Sequence, residues 1–320
     1  MTSSSSIDQL VDQPVSHDEF AQLAQRWRDY FEIDISTNPD PDFTKLKETI
    51  MPDCLSITHD NTALADRHAT FATNCALAFY PLHSWDLKIL TALYTAAFIS
   101  LDDQILDMRH DVQLFRTRLL RGEPQPQGPL ALFAKTLTRM EPHYGTFTMD
   151  LLVASTVESI ASQGLESSGH VYHPDRISDD FPRYFRWMTG FAQPYGLFLP
   201  ARHLFPAEPI ATIEALMLGV MPEMAQLANG INDVLSFYKE SVVGTERADF
   251  IYMGAAKRGV SPLAMLEDFS RELFTSYEAV MGRLEVNLQL REVFCRWIKG
   301  ETRLHYIDPR YRLKEVDLSD

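Results

Sequence analysis

Two long apolar runs, each closed by a cluster of polar oxygens, leave this chain few folds. The run at 213–235 is dominated by Ala, Leu, Met and Ile. With its flanks it reads as one long helix, about 210–240, interrupted by Gly219 and kinked at Pro222. It closes on Asn232-Asp233-Val234-Leu235-Ser236-Phe237-Tyr238-Lys239-Glu240. In a helix Asn232, Ser236 and Glu240 recur at i, i+4 and i+8 and line one face over about 12 Å. An amide oxygen, a hydroxyl and a carboxylate make a hard ligand set that suits Mg²⁺, which completes its shell with water and substrate phosphate. Lys239 adds a compact charge able to reach a phosphate oxygen. Taken alone, a solvated polar helix end explains the same residues equally well.

The other run spans 84–107. Ser84 can cap it, and 89–101 is almost uncharged, so this helix should be buried on most sides. It ends in Asp102-Asp103-Gln104-Ile105-Leu106-Asp107. Acids at a helix C-terminus oppose the dipole, by a few tenths to about 1 kcal/mol each. Such a placement implies a cation that offsets it.

Between these runs the 3.6-residue period recurs, at about 18–31, 43–51, 62–80, 130–140, 146–161, 181–199, 246–257, 263–281 and 284–306. The stretch 181–199 carries Arg186, Thr189 and Gly190. Gly259 closes one helix and Ser261-Pro262 opens the next. No period-2 alternation bounded by turns appears. The fold class is therefore all-α, with one domain over 17–320 after a flexible N-terminal segment at 1–16. His170 and His173, three apart in a polar connection, read as surface histidines rather than metal ligands.

The composition narrows the partners. Hydrophobic residues make up 45% of 320, enough for a sizeable core, and the formal net charge of −15 disfavours nucleic acid or an anionic membrane. Cys54, Cys75 and Cys295 have no paired spacing and read as free thiols in a reducing compartment. No signal peptide and no uncharged apolar run of about 18 residues is seen, so a soluble, cytoplasmic protein without membrane insertion is expected.

The motifs together resemble the class I terpene synthases. Asp102-Asp103-Gln104-Ile105-Leu106-Asp107 resembles their aspartate-rich motif, with its third acid one residue late. The 232–240 stretch matches their second motif, N-D-x-x-S-x-x-K-E, at every defined position. Arg186, with Thr189 and Gly190 after it, resembles the diphosphate-sensing arginine and its helix break, and Arg310-Tyr311 the C-terminal Arg-Tyr pair. The tail context resembles the trichodiene synthase-like branch of fungal sesquiterpene cyclases, except that Pro309 replaces a residue often basic there.

The resemblance implies a helical bundle around a central apolar cavity and Mg²⁺-dependent ionisation of farnesyl diphosphate, followed by carbocation cyclisation. It implies Asp102, Asn232, Ser236 and Glu240 as ligands of three Mg²⁺, with Asp103 and Asp107 in lesser roles. Arg186, Lys239, Arg310 and Tyr311 would bind the diphosphate, and homodimers are common in the family. Tyr94 and Phe98 precede Asp102 by two turns and one and are expected to line the pocket, with Phe79, Trp297 and Tyr306 as weaker candidates. Two rivals stand beside this reading. A chain-elongating prenyl diphosphate synthase would carry a second aspartate-rich motif, and a non-catalytic prenyl-binding protein would not need the motifs intact.

Overall fold

The computed structural model describes residues 13–36, 40–169, 176–247, 249–316 and 318. Every regular element among them is helical. The first three α-helices are α1 (His17–Phe31), α2 (Phe43–Ile57) and α3 (Thr62–Phe79). Next come α4 (Trp85–Gln104), α5 (Arg109–Arg121), α6 (Pro129–Met140) and α7 (Thr146–Glu166). Two short helices, α8 (Phe181–Thr189) and α9 (Ala192–Leu197), lead into α10 (Ile210–Leu235). The chain finishes with α11 (Phe250–Arg258), α12 (Pro262–Arg283), α13 (Leu288–Ile307) and a 3₁₀ turn at Pro309–Tyr311.

Local sequence explains most of the boundaries. Ser84 caps α4 by accepting from the Leu87 amide, and Ser261 caps α12 with Pro262 in the first turn. Gly259 ends α11 in the left-handed region, at φ 66°. At the end of the 1–16 segment Val15 is buried and Ser16 forms a capping box with Glu19; residues 1–12, like His170 and His173, lie outside the described residues.

Elsewhere tertiary contacts override the local signal. Helix α2 runs on through Pro52 because Ile50, Cys54 and Ile57 are buried on its inner face. The expected helix at 181–199 breaks in two at Gly190 and Phe191, the latter at φ 55°. Pro222 lies inside α10 without ending it. The expected helix at 246–257 starts only at Phe250, where Asp249 accepts from the Tyr252 amide.

Helix α4 packs against α2, α3 and α6, while α10 packs against α9, α12 and α13. Helix α13 closes the bundle against α3 at close range, for a Cβ on Gly300 would lie 1.8 Å from the Ala78 carbonyl oxygen. The stretch Ile210–Val242 is the one helix among the described residues long and apolar enough to cross a bilayer. Its inner face, from Ile213 through Met224 to Leu235, is buried in the bundle core.

Candidate active site

Helices α4, α7, α8, α10 and α13 each line one central cavity with residues from their last two turns. Their C-termini therefore share its mouth, and with them the negative ends of five helix dipoles. The cavity encloses about 270 Å³. A larger hollow of about 560 Å³ between α5 and α7 is lined mainly by Val112, Phe115, Val157 and Ile160 and gathers no acid.

Asp102, Arg186, Asn232, Lys239, Glu240, Arg310 and Tyr311 all line the cavity. At the end of α10 the α-helix gives way to a π turn, Tyr238–Val242. The i→i+4 hydrogen bonding survives the change, with Ser236 N to Asn232 O at 2.8 Å and Glu240 N to Ser236 O at 3.1 Å. Phe20 of α1 stacks on Phe237, and His17 meets Tyr238 edge-on, so α1 braces this turn from behind.

The oxygens of this face are all engaged. Arg186 Nη2 donates to Asn232 Oδ1 at 3.0 Å, and Lys239 Nζ lies 2.9 Å from Glu240 Oε1. Ser236 Oγ donates to Glu240 Oε2 at 2.8 Å. Arg186 Nε also sits 2.7 Å from Asp233 Oδ1. Burial lifts the Asp233 carboxyl while Arg186 opposes that shift. Burial also works against the guanidinium, but Asp233, Glu166 and Glu240 hold it above its ordinary value. Arginine does not surrender its proton in a protein, so the positive charge at this contact is kept.

Across the mouth, Asp102 stays at the rim with no hydrogen-bond or ion-pair partner among the described residues. Desolvation raises its carboxyl, and Arg310, Lys239 and Arg186 draw it back. The partner at the acidic helix end is His68, whose Nε2 lies 2.8 Å from Asp103 Oδ2 and lowers that acid. Asp103 is thereby turned away from the cavity. Asp107 is an exposed turn residue beyond the end of α4, not on its face.

Further corrections concern the pocket wall. Phe98 and Phe79 line the cavity, but Tyr94 does not. Tyr94 is fully buried behind it, with its hydroxyl 2.7 Å from Thr156 Oγ1. Trp297 is buried in the core, and Tyr306 donates to the Ala24 carbonyl at 2.6 Å; neither reaches the cavity. Ser236, only 1% exposed, is not in the cavity lining, and its hydroxyl faces Glu240.

Sequence reasoning missed several lining residues: Phe71, Cys75, Gln163, Glu166, Tyr195, Asn229, Glu301 and His305. No motif carries them. Their signal is positional, one helical turn from a mouth residue on the same element. Asn229 Nδ2 donates to the Arg186 carbonyl at 3.0 Å. That approach explains Gly190, where a Cβ would lie 1.9 Å from Asn229 Oδ1. The tail is pinned by Asn74, which donates to Asp308 Oδ2 at 2.9 Å, while Asp308 Oδ1 accepts from the Arg310 amide. Arg310 then lies over the Phe71 ring at 5.2 Å.

This helical frame is shared with solved terpene synthases. The linalool/nerolidol synthase of Streptomyces clavuligerus, in complex with 2-fluorogeranyl diphosphate, superimposes with a TM-score of 0.63 at 15% identity. The match covers 84% of this chain and 96% of that one, and shows the fold. The family model described as Trichodiene synthase (TRI5) matches residues 67–319. The chain belongs to the trichodiene synthase family. It is 30% identical over 246 residues to an (E)-beta farnesene synthase of Metarhizium brunneum, covering 77% of this chain and 73% of that protein. It is 30% identical over 258 residues to a longiborneol synthase of Gibberella zeae, covering 78% and 72%. A trichodiene synthase of Trichoderma arundinaceum is 25% identical over 231 residues, covering 71% and 57%. This member of the family is a terpene synthase by those relationships.

Proposed function

We propose that the chain is a sesquiterpene cyclase that ionises farnesyl diphosphate, guides the carbocation through cyclisation and releases diphosphate. One observation carries the reading: Asp102 and Glu240, from two helices that end at one mouth, share it with Arg186, Lys239 and Arg310. Oxygen ligands and basic side chains are what a metal–diphosphate pair requires.

The residues fit Mg²⁺. The donors are hard oxygens, and Asp102 is a carboxylate at the rim without a partner. Among the described residues no three His, Cys, Asp or Glu side chains converge, which suits a ligand set completed by an amide and a hydroxyl. Bound to Asp102, Asn232, Ser236 and Glu240, on the family pattern as three ions, Mg²⁺ would supply Lewis acidity toward the leaving diphosphate.

The protein's own groups do the rest. Lys239 leaves Glu240 and Arg186 leaves Asn232, and both turn to diphosphate oxygens, joined by Arg310 and Tyr311. The carboxylate and amide oxygens they release become free for the metal. Phe71, Phe79, Phe98 and Tyr195 turn aromatic faces to the cavity, and such a face stabilises a passing cation by about 2 kcal/mol when desolvated.

Relatives named for farnesene, longiborneol and trichodiene support a fifteen-carbon substrate, although a monoterpene synthase of Postia placenta is also a relative, at 27% identity. The second motif, with Asn232 and Ser236 where elongating enzymes carry aspartates, favours cyclisation over chain growth. Incubation with farnesyl or geranyl diphosphate and Mg²⁺, followed by headspace analysis, tests the proposal. A volatile C15 product from farnesyl diphosphate is expected. A longer diphosphate, formed only with added isopentenyl diphosphate, would show elongation, and no turnover of either substrate would leave a prenyl-binding protein. A homodimer is part of this proposal, checked by light scattering.

A further inference from the structure

One turn below the mouth, three helices carry a polar side chain in a wall that is otherwise largely apolar. Gln163 precedes Glu166 by three residues on α7, Asn229 precedes Asn232 by three on α10, and Glu301 precedes His305 by four on α13. At 1.5 Å per residue each lies about 5 Å deeper than its mouth neighbour. All three line the cavity, and they are 7%, 6% and 8% exposed. Gln163 Oε1, Asn229 Oδ1 and Glu301 Oε2 have no hydrogen-bond partner among the described residues.

An unpartnered buried polar atom costs about 1–3 kcal/mol. Three in one cavity wall call for a partner that enters the cavity, and its chemistry can be deduced. The two amide oxygens only accept hydrogen bonds. A prenyl chain has no donor. Diphosphate offers acceptor oxygens and stays with the basic groups at the mouth. Water donates, and a buried water is stable where two to four polar groups meet it.

We propose that Gln163, Asn229 and Glu301 hold a water in the cavity and that its capture ends the carbocation cascade, so that the product is a terpene alcohol. This rests on the cyclase reading above. A water that donates its two hydrogens to the two amide oxygens and accepts from the Glu301 carboxyl keeps its other lone pair turned toward the hydrocarbon. That pair forms the C–O bond with the cationic carbon, and the resulting oxonium loses one proton to the released diphosphate. Electrons balance without an oxidant. Direct proton loss to the wall is disfavoured, since burial raises the Glu301 carboxyl and the His305 Nε2 lone pair faces Asn232 Nδ2 at 3.4 Å.

The test is turnover of farnesyl diphosphate with Mg²⁺ in H₂¹⁸O, reading diphosphate release and the mass spectrum of the extracted products, against a heat-killed control. The expected main product is one alcohol, absent from the control and two mass units heavier than in ordinary water. Gln163→Leu and Glu301→Met should each raise the hydrocarbon-to-alcohol ratio about fivefold, the worth of one hydrogen bond, while Glu301→Gln leaves alcohol dominant. Diphosphate release with only hydrocarbon products overturns the proposal, as does a ratio unmoved in both apolar variants. No diphosphate release from any prenyl diphosphate overturns the cyclase reading, and this one with it.

Discussion

His305 decides which atom of Asn232 faces the mouth. Its Nδ1 donates to the Glu301 carbonyl at 2.8 Å, and burial pushes its pKa down to about 3, so Nε2 is left as an acceptor. Nε2 takes the Asn232 amide NH, while Arg186 holds the amide oxygen on the other side. Replacing His305 with Leu should therefore raise the Mg²⁺ concentration for half-maximal turnover by about tenfold, one hydrogen bond to a ligand. His305→Gln, which keeps an acceptor, should recover most of it in the same metal titration. The two acids of the first motif separate in the same way. Asp102→Ala should lower kcat/KM by at least about a hundredfold. Asp107→Ala, exposed beyond the end of α4 and outside the cavity lining, should stay within about twofold. Steady-state assays at saturating Mg²⁺ decide, and the reverse order would put the ligand on the other turn.

At the scale of the elements, close approach is the constraint. Gly300 lets α13 lie against the backbone of α3, and its Cβ would meet the Ala78 carbonyl, which cannot swing aside as a side chain would. Gly300→Ala should cost about 1–3 kcal/mol of stability, as overpacking does, measured by denaturant unfolding. That contact was illegible in the sequence. Helix existence was readable wherever caps and periodicity agreed, as at Ser84, Gly259 and Ser261. The π turn after α10 was not readable as geometry, because Phe20 of α1 braces it from another element, and the break at Gly190 was marked only by the resemblance, because Asn229 of α10 sits against it. The candidate site divides along the same line. The motif residues Asp102, Asn232 and Glu240 announce themselves by type and spacing. Gln163, Glu301 and His305 acquire meaning only once separate helices are known to end at one place.

For the molecule as a whole, acid sensitivity has a named source. His83 is buried with its Nε2 2.9 Å from the Phe198 carbonyl oxygen, and burial, with His203 nearby, lowers its pKa from 6.5 to about 3. The unfolded chain therefore takes up this proton first. The contribution is fully present above pH 6.5 and is lost as pH falls toward 3, amounting to about 2 kcal/mol by pH 5. His83→Gln keeps a donor for Phe198 and does not titrate. Denaturant unfolding of both proteins from pH 7 to 4 should give curves that converge as pH falls, and parallel curves would show that His83 is not the source.

The shared end of α4, α7, α8, α10 and α13 has a consequence for the order of events. Each helix brings about half a unit of negative charge to the mouth, where Asp102, Glu166 and Glu240 already balance Arg186, Lys239 and Arg310. A bare diphosphate approaching that surface meets a field of its own sign. On the proposed function its affinity is conditional on the metal, and by reciprocity the metal's affinity is conditional on the diphosphate. Calorimetry with a non-ionisable prenyl diphosphate analogue should show binding at least about tenfold weaker in chelator than in Mg²⁺. On that reading the mouth acts as a coincidence detector: it responds to the product of two concentrations, and either one without the other gives no response.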